Sequence, residues 1–168
     1  SLTNDVTDSA AGGTALSCGI RTYNSGVGVY LLDPLDVFIH PVNITELCRD
    51  NKMLTGVITT DETSGATPSA FSAHATEMMS LDEGSKSFAQ FTNDLWTLEQ
   101  SDKNKPTLSQ MTEKAIDLLD DGENGFFLMV EGAHIDKHSH NNESENMTEA
   151  LAEFDKSIKI ALDFAKED

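Results

Sequence analysis

Two short stretches of the chain read as strands. One lies within 55–60, Thr55-Gly56-Val57-Ile58-Thr59-Thr60, and the other runs from Phe126 to Val130. Their apolar centres, Val57-Ile58 in the first and all of 126–130 in the second, predict buried strands. Elsewhere the apolar positions recur at helical spacing. Over 107–120 they put Leu108, Met111, Ala115, Leu118 and Leu119 on one inward face. Met147, Leu151, Phe154, Ile158, Ala161, Leu162 and Ala165 keep that period to the end of the chain and predict a long amphipathic helix.

The remaining pattern is weaker. Residues 5–18 predict a turn feeding a small-residue helix, with Asp8 or Ser9 as its cap and Gly19 as its stop. Gly12 and Gly13 are poor helix formers there and suit close approach of another group. Asn43 predicts the cap of a short helix to about Asp50, with Ile44 and Leu47 inward. Thr67-Pro68 starts another helix, with Phe71, Ala75 and Met78 on one face and proline in the first turn. Gly26, Gly28, Pro34 and Pro41 punctuate an irregular stretch over 22–42 that has room for short strands at 29–32 and 37–39. Residues 80–106 are polar, and Phe88, Phe91, Leu95 and Trp96 point to one short helix among them.

Buried strands between amphipathic helices define an α/β arrangement with a largely parallel sheet. At 168 residues the chain is of a size for one domain. Two firm strands are nevertheless few for a sheet of that kind. Composition narrows the partners. A net charge of −18, from 29 acidic against 11 basic residues, argues against nucleic acid and anionic membrane and favours cations. No apolar run approaches the roughly 20 residues of a membrane span, and no signal peptide is visible. Cys18 and Cys48 form no CxxC pattern. They read as unpaired core thiols, with a disulfide between them as the alternative.

Three segments carry candidate chemistry. Strand 126–130 empties into Glu131-Gly132-Ala133-His134-Ile135-Asp136-Lys137-His138-Ser139-His140, where oxygen and imidazole donors are dense enough for a divalent metal. Asp136 and His140 are spaced i, i+4, so one helical turn would aim both at one ion. Lys137 adds a positive charge that can meet a phosphate. Ser9 starts a helix, where free backbone N–H groups favour an anion such as a phosphoserine, or it serves simply as a capping residue. Thr60-Asp61-Glu62-Thr63-Ser64-Gly65-Ala66-Thr67 joins a strand to a helix. Ligands bind at such joints in open α/β sheets, and these oxygens suit a hard cation or a plain polar turn equally well.

Together the three segments resemble the alkaline phosphatase family. Thr7-Asp8-Ser9-Ala10-Ala11-Gly12-Gly13-Thr14-Ala15 with Thr22-Tyr23-Asn24 is similar to its nucleophile segment. Gly56-Val57-Ile58-Thr59-Thr60 and Ala66-Thr67-Pro68-Ser69-Ala70-Phe71-Ser72-Ala73-His74 resemble its second block, and Val130-Glu131-Gly132-Ala133-His134-Ile135-Asp136 with His140 its third. The resemblance implies a three-layer α/β sandwich, represented here by a single partial, truncated domain over 1–168. It implies hydrolysis of small-molecule phosphate monoesters, with Ser9 as nucleophile and phosphoserine as intermediate. Asp136 and His140 would be zinc ligands, Thr67 and Glu131 magnesium ligands, and Lys137 would help to place the phosphate. A homodimer in the periplasm or outside the cell is implied as well.

The chain also departs from that pattern. The family's metal-binding aspartate before the first block, and its Asp-His pair and further histidine after the third, fall outside residues 1–168. Met78 stands where the family carries a phosphate-binding arginine, and the only arginines are Arg21 and Arg49. Gly65 stands where the family often has an acidic residue or histidine near the magnesium. Two further readings therefore stay open. One is a relative that binds divalent metal or phosphate without turnover. The other is a metal-free interaction module using the acidic surface and the last helix.

Overall fold

The computed structural model describes residues 6–32, 37–75 and 106–167. In chain order its elements are α1 (Ser9–Cys18), β1 (Tyr30–Leu32), β2 (Val37–Ile39), α2 (Ile44–Asp50), β3 (Leu54–Thr59), α3 (Ala66–Ala70), α4 (Leu108–Leu119), β4 (Phe126–Glu131), α5 (Ala133–His140) and α6 (Ser144–Glu167). They fall into two compact units. The first draws on the described residues of Ser1–Lys52 and Thr63–Trp96, the second on those of Met53–Glu62 and Thr97–Asp168.

In the first unit Asp8 is the cap of α1, its carboxylate accepting from the Ala11 N–H, and Gly19 ends the helix at φ 68°. That left-handed conformation is what glycine tolerates at a helix end. Gly13 is the point of contact between α1 and α3. A Cβ built on it would stand 2.9 Å from the Ala70 Cβ and 3.4 Å from the Thr67 Cα. Ala10, Val27 and Ala70 form the small core around this contact. Thr14 is fully buried; its Oγ1 donates to the Gly26 carbonyl at 3.0 Å and accepts from the Gly28 N–H at 2.8 Å. β1 and β2 pair antiparallel, Tyr30 opposite Ile39. Cys18 and Cys48 are both free thiols.

Two expectations fail in this unit. The face of α2 that turns inward carries Thr45 and Cys48, while Leu47 is half-exposed. The roll of α2 is set by polar ties rather than by its apolar residues. Asn43 and Glu46 close a capping box, and the Thr45 hydroxyl donates to the Phe71 carbonyl at 2.5 Å. The helix at Thr67-Pro68 is also short and ends at Ala70, so Ala75 does not continue its face. Ala75 instead exchanges backbone hydrogen bonds with Val27, at 2.7 and 3.0 Å. A bridge between distant segments thus overrides local helical spacing. Met78 and the helix expected around Phe88, Phe91, Leu95 and Trp96 lie outside the described residues.

In the second unit β3 and β4 run parallel, in register from Leu54 opposite Phe126 to Thr59 opposite Glu131. Thr107 and Gln110 make a capping box at the start of α4. Ile58, Leu108 and Met111 form the core, with Ala115, Leu128, Val130 and Phe154 packed on it. α4 and α6 are tied by the Ser109 hydroxyl, which donates to the Glu153 carboxylate at 2.8 Å. α4 keeps most of the predicted inward face, with Leu108, Met111 and Leu119 buried and Ala115 packed on the core, whereas α6 is rolled from its predicted face. Thr112 and Ile116 are buried on α4 while Leu118 is half-exposed. On α6 Ser157 is the buried position, and Leu151, Ile158 and Leu162 are each about half-exposed. The apolar arc of α6 is wider than the surface offered by α4, α5 and β4.

Candidate active site

The nucleophile candidate sits at the first position of α1 and is exposed. Its surroundings are pinned by side chains. The Asp8 carboxylate accepts from the Ala11 N–H at 2.8 Å with one oxygen and from the Ser25 N–H at 2.6 Å with the other. Asn24 accepts from the Asp8 N–H at 3.3 Å and donates to the Val6 carbonyl at 2.9 Å. The backbone before Ser9 is therefore held to the turn at residues 24–25. Ser25 has φ 69°, a left-handed conformation costing a non-glycine residue about 1–2 kcal/mol, and its N–H bond to Asp8 offsets part of that. Thr67, half-buried in the first turn of α3, lies in the same unit.

The second unit gathers its candidates at the C-terminal ends of its two parallel strands. Thr59 and Glu131 are the last rung, and the Thr59 hydroxyl donates to the Glu131 carboxylate at 2.6 Å. Thr59 Oγ1 also accepts from the Asp61 N–H at 2.9 Å, and Thr60 Oγ1 accepts from the His134 N–H at 3.0 Å. These ties lock the β3 exit to the start of α5. Lys137 forms an ion pair with Asp61. The imidazole of His134 is held below the usual histidine range, first by burial and then by its neighbours His138 and Lys137, against an opposing pull from Asp61.

Asp136 and His140 lie one turn apart on α5, with Oδ2 and Nε2 3.4 Å apart and both side chains about three-quarters exposed. Two donors each about 2.0–2.1 Å from one tetrahedral zinc stand roughly 3.3–3.4 Å apart, so the separation of this pair matches what one zinc would need. Glu131 has one oxygen engaged by Thr59, which leaves its other oxygen for a hard cation. Among the described residues no group of three or more His, Cys, Asp or Glu is gathered as a metal centre. Of the expected residues, Ser9 and Thr67 belong to the first unit, and Glu131, Asp136, Lys137 and His140 to the second. The sequence pattern does not point to Asp61 as the partner of Lys137 or to Asn24 as the clamp on residues 6–8. Asp61 and Lys137 are 76 residues apart and nothing in local spacing links them, whereas Asn24-Ser25-Gly26 at least signals the turn that carries the other.

The parallel strand pair with its helices is the α/β fold of the alkaline phosphatases. The structure of alkaline phosphatase from the Antarctic bacterium TAB5 superposes with a TM-score of 0.84 and 29% identity, covering 100% of this chain and 63% of that one. A variant of the TAB5 enzyme with Mg bound matches at TM-score 0.81, covering 97% and 61%. In sequence, alkaline phosphatase 4 of Bacillus subtilis (strain 168) is 28% identical over 221 aligned residues, 98% of this chain and 47% of that protein. The profile of the alkaline phosphatase family matches residues 1–97 and 88–168. The chain belongs to the alkaline phosphatase family. It spans about half the length of that Bacillus relative. Among the described residues no helix is long and apolar enough to cross a membrane.

Proposed function

We propose that the chain hydrolyses small-molecule phosphate monoesters, with Ser9 as nucleophile and zinc and magnesium as cofactors. The observation that carries this reading is the exposed Ser9 at the head of α1, with the backbone before it tied down by Asp8 and Asn24. The Ser9 oxygen forms the bond to phosphorus, and the ester oxygen leaves with the electron pair of the bond that breaks. The phosphoserine then faces the free N–H groups and positive dipole end of α1. Water takes the phosphoryl group from Ser9 and restores the hydroxyl. Asp136 and His140 would hold a zinc, Thr67 and Glu131 a magnesium. When bound, the metals supply Lewis-acid charge against the phosphoryl oxygens and lower the pKa of water. Lys137, oriented by Asp61, supplies a point charge for the phosphate. In this reading residues 1–168 form one partial alkaline phosphatase domain, working as a homodimer in the periplasm or outside the cell, with neither nucleic acid nor membrane as partner.

A second reading, metal or phosphate binding without turnover, is favoured by the arginine content. Only Arg21 and Arg49 occur, and Met78 stands at the position expected for a phosphate-binding arginine. Hydrolysis of p-nitrophenyl phosphate at alkaline pH, with zinc and magnesium supplied, separates the two. The first reading expects turnover that is abolished by Ser9→Ala while stability moves by less than about 0.5 kcal/mol, as for an exposed site. Zinc binding with no turnover above buffer favours the second.

A further inference from the structure

We propose a second transition-metal site on α5, formed by the His134 and His138 imidazoles and backed by the Glu143 carboxylate. His134 and His138 are spaced i, i+4, so they share a face of the helix. That face is offset by two residues, about 200° around the helix, from the one bearing Asp136 and His140. The two pairs therefore cannot serve one ion. The ring centroids of His134 and His138 are 5.5 Å apart with planes at 57°. Two imidazoles bound through nitrogen at about 2.0–2.1 Å to one tetrahedral metal have centroids roughly 5 Å apart. The rings thus already stand close to the ligating separation.

The surroundings complete the argument. His138 Nδ1 lies 2.6 Å from Glu143 Oε2, and the carboxylate can only accept. The proton is therefore on Nδ1, and Nε2 is left as the ligating atom. A carboxylate fixing the far nitrogen of a histidine is the usual outer support of a metal-bound imidazole. Glu143 is itself steadied by the Asn146 side-chain amide, which donates to the same oxygen at 3.0 Å. Nothing among the described residues hydrogen-bonds the His134 ring, whereas its backbone N–H is fixed on Thr60. The nearby cation, Lys137, is paired with Asp61, which offsets part of its charge. Two protein ligands leave the remaining positions to water, so the site takes a borderline metal such as zinc or nickel at the surface and is distinct from any closed three-ligand centre.

The test is zinc chloride titrated by calorimetry into the full chain in an Asp136→Ala/His140→Ala background, where the candidate zinc pair is gone. The expected result is one equivalent bound in that background. His134→Gln or His138→Gln abolishes it, and Glu143→Gln weakens it by about 10-fold or more. No zinc bound in the background, or binding untouched by His134→Gln and His138→Gln, overturns the proposal. Should a variant unfold, nuclear magnetic resonance of the wild-type chain decides. The His134 and His138 ring signals must shift together at one zinc ratio, and their staying still overturns it. Neither outcome bears on the phosphatase reading, which rests on Ser9.

Discussion

Replacing Gly13 by alanine tests the contact that joins the nucleophile helix to the helix of Thr67. The new methyl would stand 2.9 Å from the Ala70 Cβ and 3.4 Å from the Thr67 Cα. Carbon atoms prefer about 3.5–4.0 Å, so α1 and α3 must separate by roughly 0.6–1 Å or strain in place. Overpacking of this kind costs about 1–3 kcal/mol. Against it stands the gain of alanine over glycine inside a helix, about 1 kcal/mol. Gly12, one residue earlier in the same helix, isolates the two effects, because a Cβ there meets nothing within 4 Å. Gly12→Ala is therefore expected to stabilise by up to about 1 kcal/mol, and Gly13→Ala to lie about 1–3 kcal/mol below it. Urea unfolding followed by far-ultraviolet circular dichroism measures the difference. Equal midpoints for the two variants would refute the close approach of α1 and α3.

Thr14→Val removes a fully buried hydroxyl that serves both the Gly26 carbonyl and the Gly28 N–H. Each backbone group left without a partner costs about 1–3 kcal/mol, so a fall in unfolding free energy below 1 kcal/mol would contradict the assignment. Glu46 is pushed upward by burial, but the Asn43 N–H and His74, 3.1 Å away, outweigh that and hold it below the usual glutamate range. Unfolding raises its pKa to about 4.3, so its contribution is present above that pH and is lost as pH falls through the folded value. Glu46→Gln should flatten the loss of unfolding midpoint between about pH 5 and 3; unchanged slopes would count against the pairing. Asp61→Asn breaks an exposed ion pair and should cost less than about 1 kcal/mol. Acylation of Lys137 by an amine reagent, mapped by mass spectrometry, should nevertheless speed up, and equal labelling would show that Asp61 does not hold it.

The legible parts of the sequence were those where one local signal decides. Asp8, Asn43 and Thr107 each cap the helix that follows them, and Gly19 ends α1, because a cap needs only its own few residues. The strands at 55–60 and 126–130 could be located from their apolar centres, although β4 is only half-buried along its length and β3 is exposed at Leu54. What spacing misread was the roll of helices and the length of one. Leu47, Leu118, Leu151, Ile158 and Leu162 fit an inward stripe but stand half-exposed. The roll of α2 is fixed by Thr45 on the Phe71 carbonyl, and α6 is tied to α4 by Ser109 on Glu153. α3 stops at Ala70 because Ala75 pairs with Val27, a partner 48 residues away that no window on the helix contains. In the candidate site, Ser9, Glu131, Asp136 and His140 could be read from ordered blocks. Their supports could not, since Asp61 meets Lys137, and Thr59 meets Glu131, only through parallel strands 72 residues apart.

That division between groups and supports has a physical logic. Ser9, Asp136 and His140 are exposed, and each stands at or near a helix start or on an outer helical face. The residues that fix the backbone around them and the Glu131 side chain are more enclosed: Asp8 is half-buried, Thr59 and Thr60 are buried. A group meant to meet phosphate or metal must keep its lone pairs free, so its orientation has to come from neighbours whose own hydrogen bonds are spent. Asp8 spends both carboxylate oxygens on backbone N–H groups, and Thr59 spends its hydroxyl as donor and acceptor at once. Removing an exposed group therefore leaves the fold nearly untouched. Removing a support strands a buried partner and costs about 1–3 kcal/mol. Stability and ligand binding should accordingly separate along this chain, with Ser9, Asp136 and His140 on one side and Asp8 and Thr59 on the other.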